Sequence, residues 1–141
     1  MRLVKEAAVD GVKLEGGKDM ADQVAAIAKA GIAVVGHVGL MPQRALATID
    51  QDTDSIRSDA NIKLSFGSTA ASATIVLEDA LAIQTAGAVA IVLEAVAPEA
   101  AQMITDLLKI PTIGIGCGSS TSAQMALQSE LLGYPGCFLQ K

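Results

Sequence analysis

Short apolar runs alternate with longer amphipathic segments along most of the chain. The apolar runs are typical of parallel strands that are covered on both faces. They predict strands at residues 11–15, 32–37, 89–94 and 112–115. In the amphipathic segments apolar residues recur at helical spacing, with Val24, Ile27 and Ala28 on one face of the first. These segments predict helices at residues 19–30, 70–86, 98–109 and 121–132.

Glycine and proline stand at the predicted boundaries. Gly31 and Gly87 lie where a helix passes into a strand, a position that favours left-handed backbone. Pro98 opens a helix at its first turn, and Pro111 stops the helix before it. Strands that alternate with helices imply right-handed βαβ units. We therefore expect an α/β fold, a partial (β/α)8 TIM barrel of about four βα units with parallel strands, in which residues 1–141 form a single domain.

One region interrupts this alternation. Residues 49–69 are polar, acidic at first, and show no clear periodicity. Structureless segments of this length are uncommon in compact domains. We interpret residues 49–69 as a long loop or insertion.

Composition narrows the classes of function. Hydrophobic residues make up 51% of the chain, which argues against a disordered protein. Ten basic against fifteen acidic residues give a net charge of −5, and aromatic residues are only 2%, so nucleic acid is an improbable partner. The sequence contains neither an uncharged apolar stretch of membrane-spanning length nor an N-terminal secretory signal pattern. We expect no membrane association and a cytoplasmic location, or a mitochondrial one if the source is a eukaryote.

Two features that attract attention in such a sequence have ordinary interpretations. Cys117 and Cys137 are 20 residues apart and read as reduced thiols, with a disulfide or a reactive thiol as alternatives. The glycine-rich run at residues 114–118 reads as a tight packing turn, because it lacks the spacing of the known phosphate-binding motifs. The alternative is an anion site where this run meets the N-terminus of the helix predicted at residues 121–132.

Ionisable residues lie at or near the carboxyl ends of three predicted strands. Lys13 and Glu15 are two residues apart and therefore project from the same face of their strand. His37, the only histidine, closes the second strand, and Glu94 follows the apolar run of the third. In parallel α/β folds functional side chains gather at these ends. Each residue also has a structural alternative: a strand-end ion pair for Lys13 and Glu15, a hydrogen-bonded imidazole for His37, and a paired carboxylate for Glu94.

Four segments, in this order and with this βα spacing, carry a specific resemblance. The sequence resembles the ketopantoate hydroxymethyltransferase (3-methyl-2-oxobutanoate hydroxymethyltransferase) family from its start to about residue 133, apart from residues 46–69. The matching segments are Val12–Gly17 (VKLEGG), Gly36–Gln43 (GHVGLMPQ), Ala90–Glu94 (AIVLE) and Ile110–Gly116 (IPTIGIG).

The resemblance implies a magnesium-dependent (β/α)8 transferase of pantothenate biosynthesis. Such an enzyme binds 3-methyl-2-oxobutanoate, a 2-oxo acid, to Mg²⁺ and forms its enolate. It then adds a hydroxymethyl group from the co-substrate 5,10-methylenetetrahydrofolate. Carried over by motif, Lys13 contacts the substrate, His37 lines the same pocket, Glu15 belongs to the magnesium site, and Glu94 accepts the proton. A positioned carboxylate is a suitable base for a proton beside a ketone.

Two other functions stay open. The family's main aspartate ligands lie on strands that precede the one with Lys13, and Asp10 and Asp19 do not occupy matching positions. The chain is therefore also interpretable as a non-catalytic half barrel, an interaction or regulatory partner of a full-length relative. A third reading is a magnesium-dependent enzyme that enolises a different 2-oxo acid. Unpaired strand edges in a half barrel predict a homo-oligomer.

Overall fold

The computed structural model of the protein describes residues 2–43 and 66–133. Helices and strands alternate along most of this part of the chain. A short 3₁₀ turn, Lys18–Met20, leads into the second helix. The strands are β1 (Gly11–Glu15), β2 (Ala33–Gly39), β3 (Ala90–Glu94), β4 (Thr112–Ile115) and β5 (Ala123–Gln124), and the helices are α1 (Arg2–Ala7), α2 (Ala21–Lys29), α3 (Ala70–Thr85), α4 (Pro98–Leu107) and α5 (Gln128–Leu131).

The five strands form one sheet in sequential order, and every neighbouring pair is parallel. This arrangement confirms the prediction of an α/β fold built from βα units, as a partial (β/α)8 barrel requires. The strands predicted at residues 11–15 and 112–115 have the predicted bounds. β2 begins one residue later than predicted and runs two residues further, to Gly39, because it pairs with β3 as far as Glu94.

The two faces of the sheet have different surroundings. Paired residues in parallel strands project to the same side, so the register separates the side chains into two sets. One set, which includes Val34, Ile91 and Leu93, packs against α2, α3 and α4 in a continuous apolar core. Close packing on this face requires Gly36, because a Cβ there would collide with Ile83. The opposite face carries the ionisable residues singled out above, and none of them belongs to the apolar core.

The boundary residues behave as predicted in three places. Gly31 and Gly87 both have positive φ, at +79° and +101°, directly after α2 and α3. Pro98 occupies the first turn of α4. The helix predicted at 98–109 ends earlier, at Leu107, and the main-chain N–H groups of Lys109 and Ile110 donate to the Gln84 side chain instead.

The helix predicted at residues 121–132 is wrong. The chain forms β5 over Ala123–Gln124, and only the four-residue α5 follows. Hydroxyl groups compete for the hydrogen bonds that a helix would need. The Thr121 hydroxyl donates to the main-chain oxygen of Ala123, and the Ser122 hydroxyl accepts from the N–H of Thr112 on β4. The sequence does not predict the short α1, because its six residues show no apolar stripe. In the structure none of them is buried.

The segment interpreted as a long loop or insertion is described only in part. Residues 49–65 lie outside the described residues. Phe66 forms a bridge with Val96, and Thr69 caps α3 by accepting from the N–H of Ser72. None of the helices in residues 2–43 and 66–133 has the length and hydrophobicity needed to cross a membrane.

Candidate active site

Four ionisable side chains meet at the carboxyl end of the sheet. The register aligns Glu15 of β1 with His37 of β2, and Gly39 of β2 with Glu94 of β3. Lys13, Glu15, His37 and Glu94 therefore project from one face of three adjacent strands. The structure brings together all four residues that the sequence singled out.

His37 lies at the centre of this group. Its side chain is only 1% exposed, and Glu15 and Glu94 on either side are 7% and 14% exposed. The His37 Nδ1 atom is 3.2 Å from Lys13 Nζ and 3.7 Å from Glu15 Oε1. The Nε2 atom is 2.7 Å from the main-chain oxygen of Leu40 and 3.2 Å from Glu94 Oε2. The imidazole thus connects the lysine on β1 to the glutamate on β3.

These contacts define the protonation of His37. A main-chain oxygen can only accept a hydrogen bond, so Nε2 carries a proton and donates it to the Leu40 oxygen. The Lys13 ammonium can only donate, so Nδ1 accepts from it and carries no proton. Burial lowers the pKa of His37 below 6.5, and the charge of Lys13 lowers it further. His37 is therefore neutral near pH 7, and its contacts with the glutamates are not ion pairs.

Glu94 and Lys13 differ in their access to water. Burial raises the pKa of Glu94 above 4.5, and the negative charge of Glu15 adds to the shift, whereas the positive charge of Lys13 opposes it. A carboxylate with a raised pKa is a better proton acceptor than an ordinary one. The Lys13 side chain is 46% exposed, and its Nζ atom lies 3.4 Å from Glu15 Oε1. One end of the group is thus an accessible cation and the other a largely buried carboxylate.

The neutral state of His37 predicts a pH dependence of stability. Because His37 has a lower pKa in the folded protein, the unfolded chain binds more protons below about pH 6.5. We expect the free energy of unfolding to fall as the pH drops from about 8 to about 5. Glu94 has the opposite effect on the free energy of unfolding, at lower pH. Because its pKa is raised above 4.5, the folded protein binds more protons than the unfolded chain just above this pH.

The measurement is urea denaturation across this pH range for the wild type and His37→Gln. Since His37 is the only histidine, the variant removes the whole imidazole titration. We expect the variant to lose most of the decline in stability between about pH 7 and about pH 5.5. An equally steep decline in both proteins would show that His37 is not held neutral.

Sequence reasoning missed the main-chain groups that complete the site. The Leu40 N–H donates to the main-chain oxygen of Glu94, and the Gln43 N–H donates to Glu15 Oε2. Gly39 has φ +92°, and a Cβ there would collide with the Glu94 main-chain oxygen. Gly39 and Gln43 both lie in the GHVGLMPQ segment, so the sequence contains a signal for these residues. The contact of Gly39 with Glu94 depends on strand register, which the sequence does not show.

The cysteine and glycine features have structural roles. Cys117 is a free, buried thiol that donates to the main-chain oxygen of Leu93, and burial raises its pKa. Cys137 lies outside the described residues. Gly116 and Gly118 have positive φ, at +62° and +74°, and a Cβ at Gly114 would lie 2.5 Å from Thr121 Oγ1, which confirms a tight packing turn there. The alternative of an anion site is wrong, because no helix begins directly after residues 114–118.

That Glu15 belongs to a magnesium site stays a prediction. Glu15 offers carboxylate oxygens, the type of ligand that Mg²⁺ prefers. Its two oxygens already accept from Lys13 and Gln43. Within residues 2–43 and 66–133, no group of three or more His, Cys, Asp or Glu side chains is arranged to hold a metal ion. This part of the chain does not form a metal centre by itself.

Comparison with known proteins identifies the family of the chain. A family model described as ketopantoate hydroxymethyltransferase matches residues 1–141. The chain belongs to this family. Among ketopantoate hydroxymethyltransferases, the chain is 46% identical over 143 residues to a 3-methyl-2-oxobutanoate hydroxymethyltransferase of Emericella nidulans, with 100% of this chain covered. Proteins of the same name from Nitratiruptor sp. and Cenarchaeum symbiosum are 39% and 44% identical over 95% and 99% of the chain.

The chain spans less than half the length of these ketopantoate hydroxymethyltransferases. The matched region is 38% of the protein from Emericella nidulans, 46% of that from Nitratiruptor sp. and 48% of that from Cenarchaeum symbiosum. The family is one of hydroxymethyltransferases, enzymes that transfer a one-carbon group.

Proposed function

We propose that the chain carries the substrate-enolising part of a 3-methyl-2-oxobutanoate hydroxymethyltransferase. The observation that supports this most is the convergence of Lys13, His37 and Glu94 at one end of the sheet, with Glu94 largely buried and its pKa raised. The substrate has a carboxylate, a ketone and an acidic C3–H bond. The site offers the Lys13 ammonium for the carboxylate and the Glu94 carboxylate as a base for the C3 proton.

In the proposed reaction Glu94 accepts the C3 proton. The C3–H bond breaks, its electron pair forms the C2=C3 bond, and the ketone oxygen becomes the enolate oxygen. The buried His37 ring lies against the Glu94 carboxylate, with 3.2 Å between Nε2 and Oε2, and limits the directions in which the carboxylate can point. The enolate carbon then bonds to the one-carbon unit of 5,10-methylenetetrahydrofolate, and the C2 ketone re-forms. Both C–N bonds of the methylene group break, water supplies the hydroxyl oxygen and the two protons that tetrahydrofolate takes up as it leaves, and the new hydroxyl group takes the proton that Glu94 accepted. Lys13, which is more exposed than the other three side chains, is positioned to hold the substrate carboxylate.

Magnesium is part of the proposal only through Glu15. This carboxylate is the one described group that we propose as a ligand, with the remaining ligands coming from the 2-oxo acid, water and residues outside the described part. A bound Mg²⁺ ion would stabilise negative charge on the substrate oxygens. No step above depends on its geometry.

The test is deuterium exchange at C3 of 3-methyl-2-oxobutanoate in D₂O with Mg²⁺, followed by proton NMR. We expect the chain to accelerate loss of the C3 proton signal over buffer and Mg²⁺ alone. Exchange at the buffer rate with saturating substrate would contradict the proposal. Exchange with other 2-oxo acids but not with this one would instead indicate a related enolising enzyme.

Lys13→Ala gives a second expected result. If Lys13 holds the carboxylate equally in the ground and transition states, its loss raises KM for exchange and leaves kcat nearly unchanged. Removing a charge-assisted hydrogen bond costs about 1.5–3 kcal/mol, which corresponds to a KM raised by roughly 10- to 100-fold. Lys29→Ala, an exposed lysine at the end of α2, is the control. A fall in kcat at constant KM would assign Lys13 a different role.

A non-catalytic half barrel remains the second candidate function. It is favoured by the incomplete metal-donor set in the described residues. In this case the chain shows no C3 exchange alone and co-elutes with a full-length relative in size-exclusion chromatography.

Homo-oligomerisation and a cytoplasmic location remain predictions. Elution of the purified chain as a monomer would contradict homo-oligomerisation.

A further inference from the structure

The main chain that follows β3 is hydrogen-bonded to several different parts of the fold. We call residues 93–96 the exit segment. Within it, the Glu94 main-chain oxygen accepts from the Leu40 N–H at 2.9 Å. The Ala95 N–H donates to Ile115 O at 2.9 Å, and the Ala95 oxygen accepts from the Phe66 N–H at 2.8 Å. These contacts attach the exit segment to the residue that follows β2, to β4 and to the residues that precede α3.

A buried thiol secures the two ends of the exit segment. Cys117 donates to the Leu93 oxygen, with 2.9 Å between the atoms, and its Sγ atom accepts from the Val96 N–H at 3.4 Å. Leu93, Val96 and Cys117 are all fully buried or nearly so. The backbone on both sides of Glu94 is therefore held by partners from separate elements.

Ala95 adopts a backbone conformation that alanine rarely occupies. Its φ is +53°, in the left-handed region, where a Cβ is unfavourable and glycine is the usual residue. In the described part of the chain one other residue that is not glycine has positive φ, Ala8 at +52°, before β1 and away from the site. Strained residues that a surrounding structure over-determines occur frequently at functional sites.

We propose that Ala95 is a positioning residue that holds the Glu94 carboxylate against His37. The Cβ of Ala95 limits the φ and ψ angles that this residue can adopt. Once the hydrogen bonds hold the left-handed turn, the backbone at Glu94 is fixed as well, and the Glu94 side chain can leave it in only one direction. Glycine in its place relieves the strain and allows the turn to fluctuate. The role of Glu94 as base rests on the proposed function, whereas the geometric coupling of Ala95, Glu94 and His37 does not.

The test compares Ala95→Gly with the matched variant Ala8→Gly, each in the full chain. Both substitutions relieve a positive φ, so we expect neither to lower the melting temperature. NMR then gives the rate at which the His37 Nε2 proton exchanges with water. We expect this rate, and that of the Leu40 amide, to rise about tenfold or more in Ala95→Gly and to stay at the wild-type value in Ala8→Gly.

Where the wild type catalyses C3 exchange, Ala95→Gly should also lower kcat about tenfold without raising KM. Unchanged exchange of the His37 proton in Ala95→Gly, or a lower melting temperature than the wild type, would overturn the inference. If the wild type shows no C3 exchange, it is the proposed function that fails. The His37 proton rate still distinguishes whether Ala95 positions Glu94.

Discussion

Glu94→Gln should abolish the exchange of the C3 proton of 3-methyl-2-oxobutanoate while the protein remains folded. The amide has the shape of the carboxyl group and therefore fits beside His37 Nε2, which lies 3.2 Å from Glu94 Oε2. It cannot act as a base. General base catalysis contributes about 100- to 10,000-fold in rate, so kcat should fall by that factor. The measurement is the rate of signal loss at C3 in D₂O, together with the melting temperature.

The matched control is Glu99→Gln, which removes an exposed carboxylate from the first turn of α4. We expect wild-type exchange in this variant. If Glu94→Gln exchanged the C3 proton as fast as Glu99→Gln, the base would have to be another group. The site would then bind the 2-oxo acid without deprotonating it through Glu94.

Gly39→Ala should cause the largest loss of stability among single substitutions at the site. Gly39 has φ +92°, where an alanine is strained by about 1–2 kcal/mol. Its Cβ would also collide with the Glu94 main-chain oxygen, and overpacking costs about 1–3 kcal/mol more. We expect the free energy of unfolding to fall by about 2–5 kcal/mol in urea denaturation.

Gly31→Ala separates the two contributions. Gly31 has a similar φ of +79°, but a Cβ there would meet nothing within 4 Å. This variant should lose only the conformational part, about 1–2 kcal/mol. If Gly31→Ala and Gly39→Ala lowered the free energy of unfolding equally, the end of β2 would not be in close contact with the Glu94 main chain.

The pattern of the sequence predicts the sheet and most of the site. Parallel strands buried on both faces leave a clear apolar signal, and an ionisable residue in or after such a run is conspicuous. Glu94 after Ile91-Val92-Leu93 is an example. Its proximity to Lys13 and His37 follows from strand order, since the carboxyl ends of parallel strands lie at the same edge. This is why all four predicted residues are found together.

Features that depend on tertiary contacts could not be predicted in this way. The segment after residue 120 has apolar residues at helical intervals, but pairing with β4 makes Ala123–Gln124 a strand. The left-handed conformation of Ala95 has no sequence signal, because alanine favours helices and carries no cue to positive φ. The closeness of Gly39 to Glu94 follows from a register in which β2 runs two residues beyond the predicted end.

The most direct test of the site is to observe where the 2-oxo acid binds. Titrating the ¹³C,¹⁵N-labelled chain with 3-methyl-2-oxobutanoate and Mg²⁺ reports on the Lys13 Nζ group, the His37 ring and the Glu94 carboxyl carbon in one NMR experiment. We predict saturable shifts at all three with a single dissociation constant. If the signals of these three groups did not move at saturation, or if the shifted signals came from another part of the sheet, the account would be contradicted.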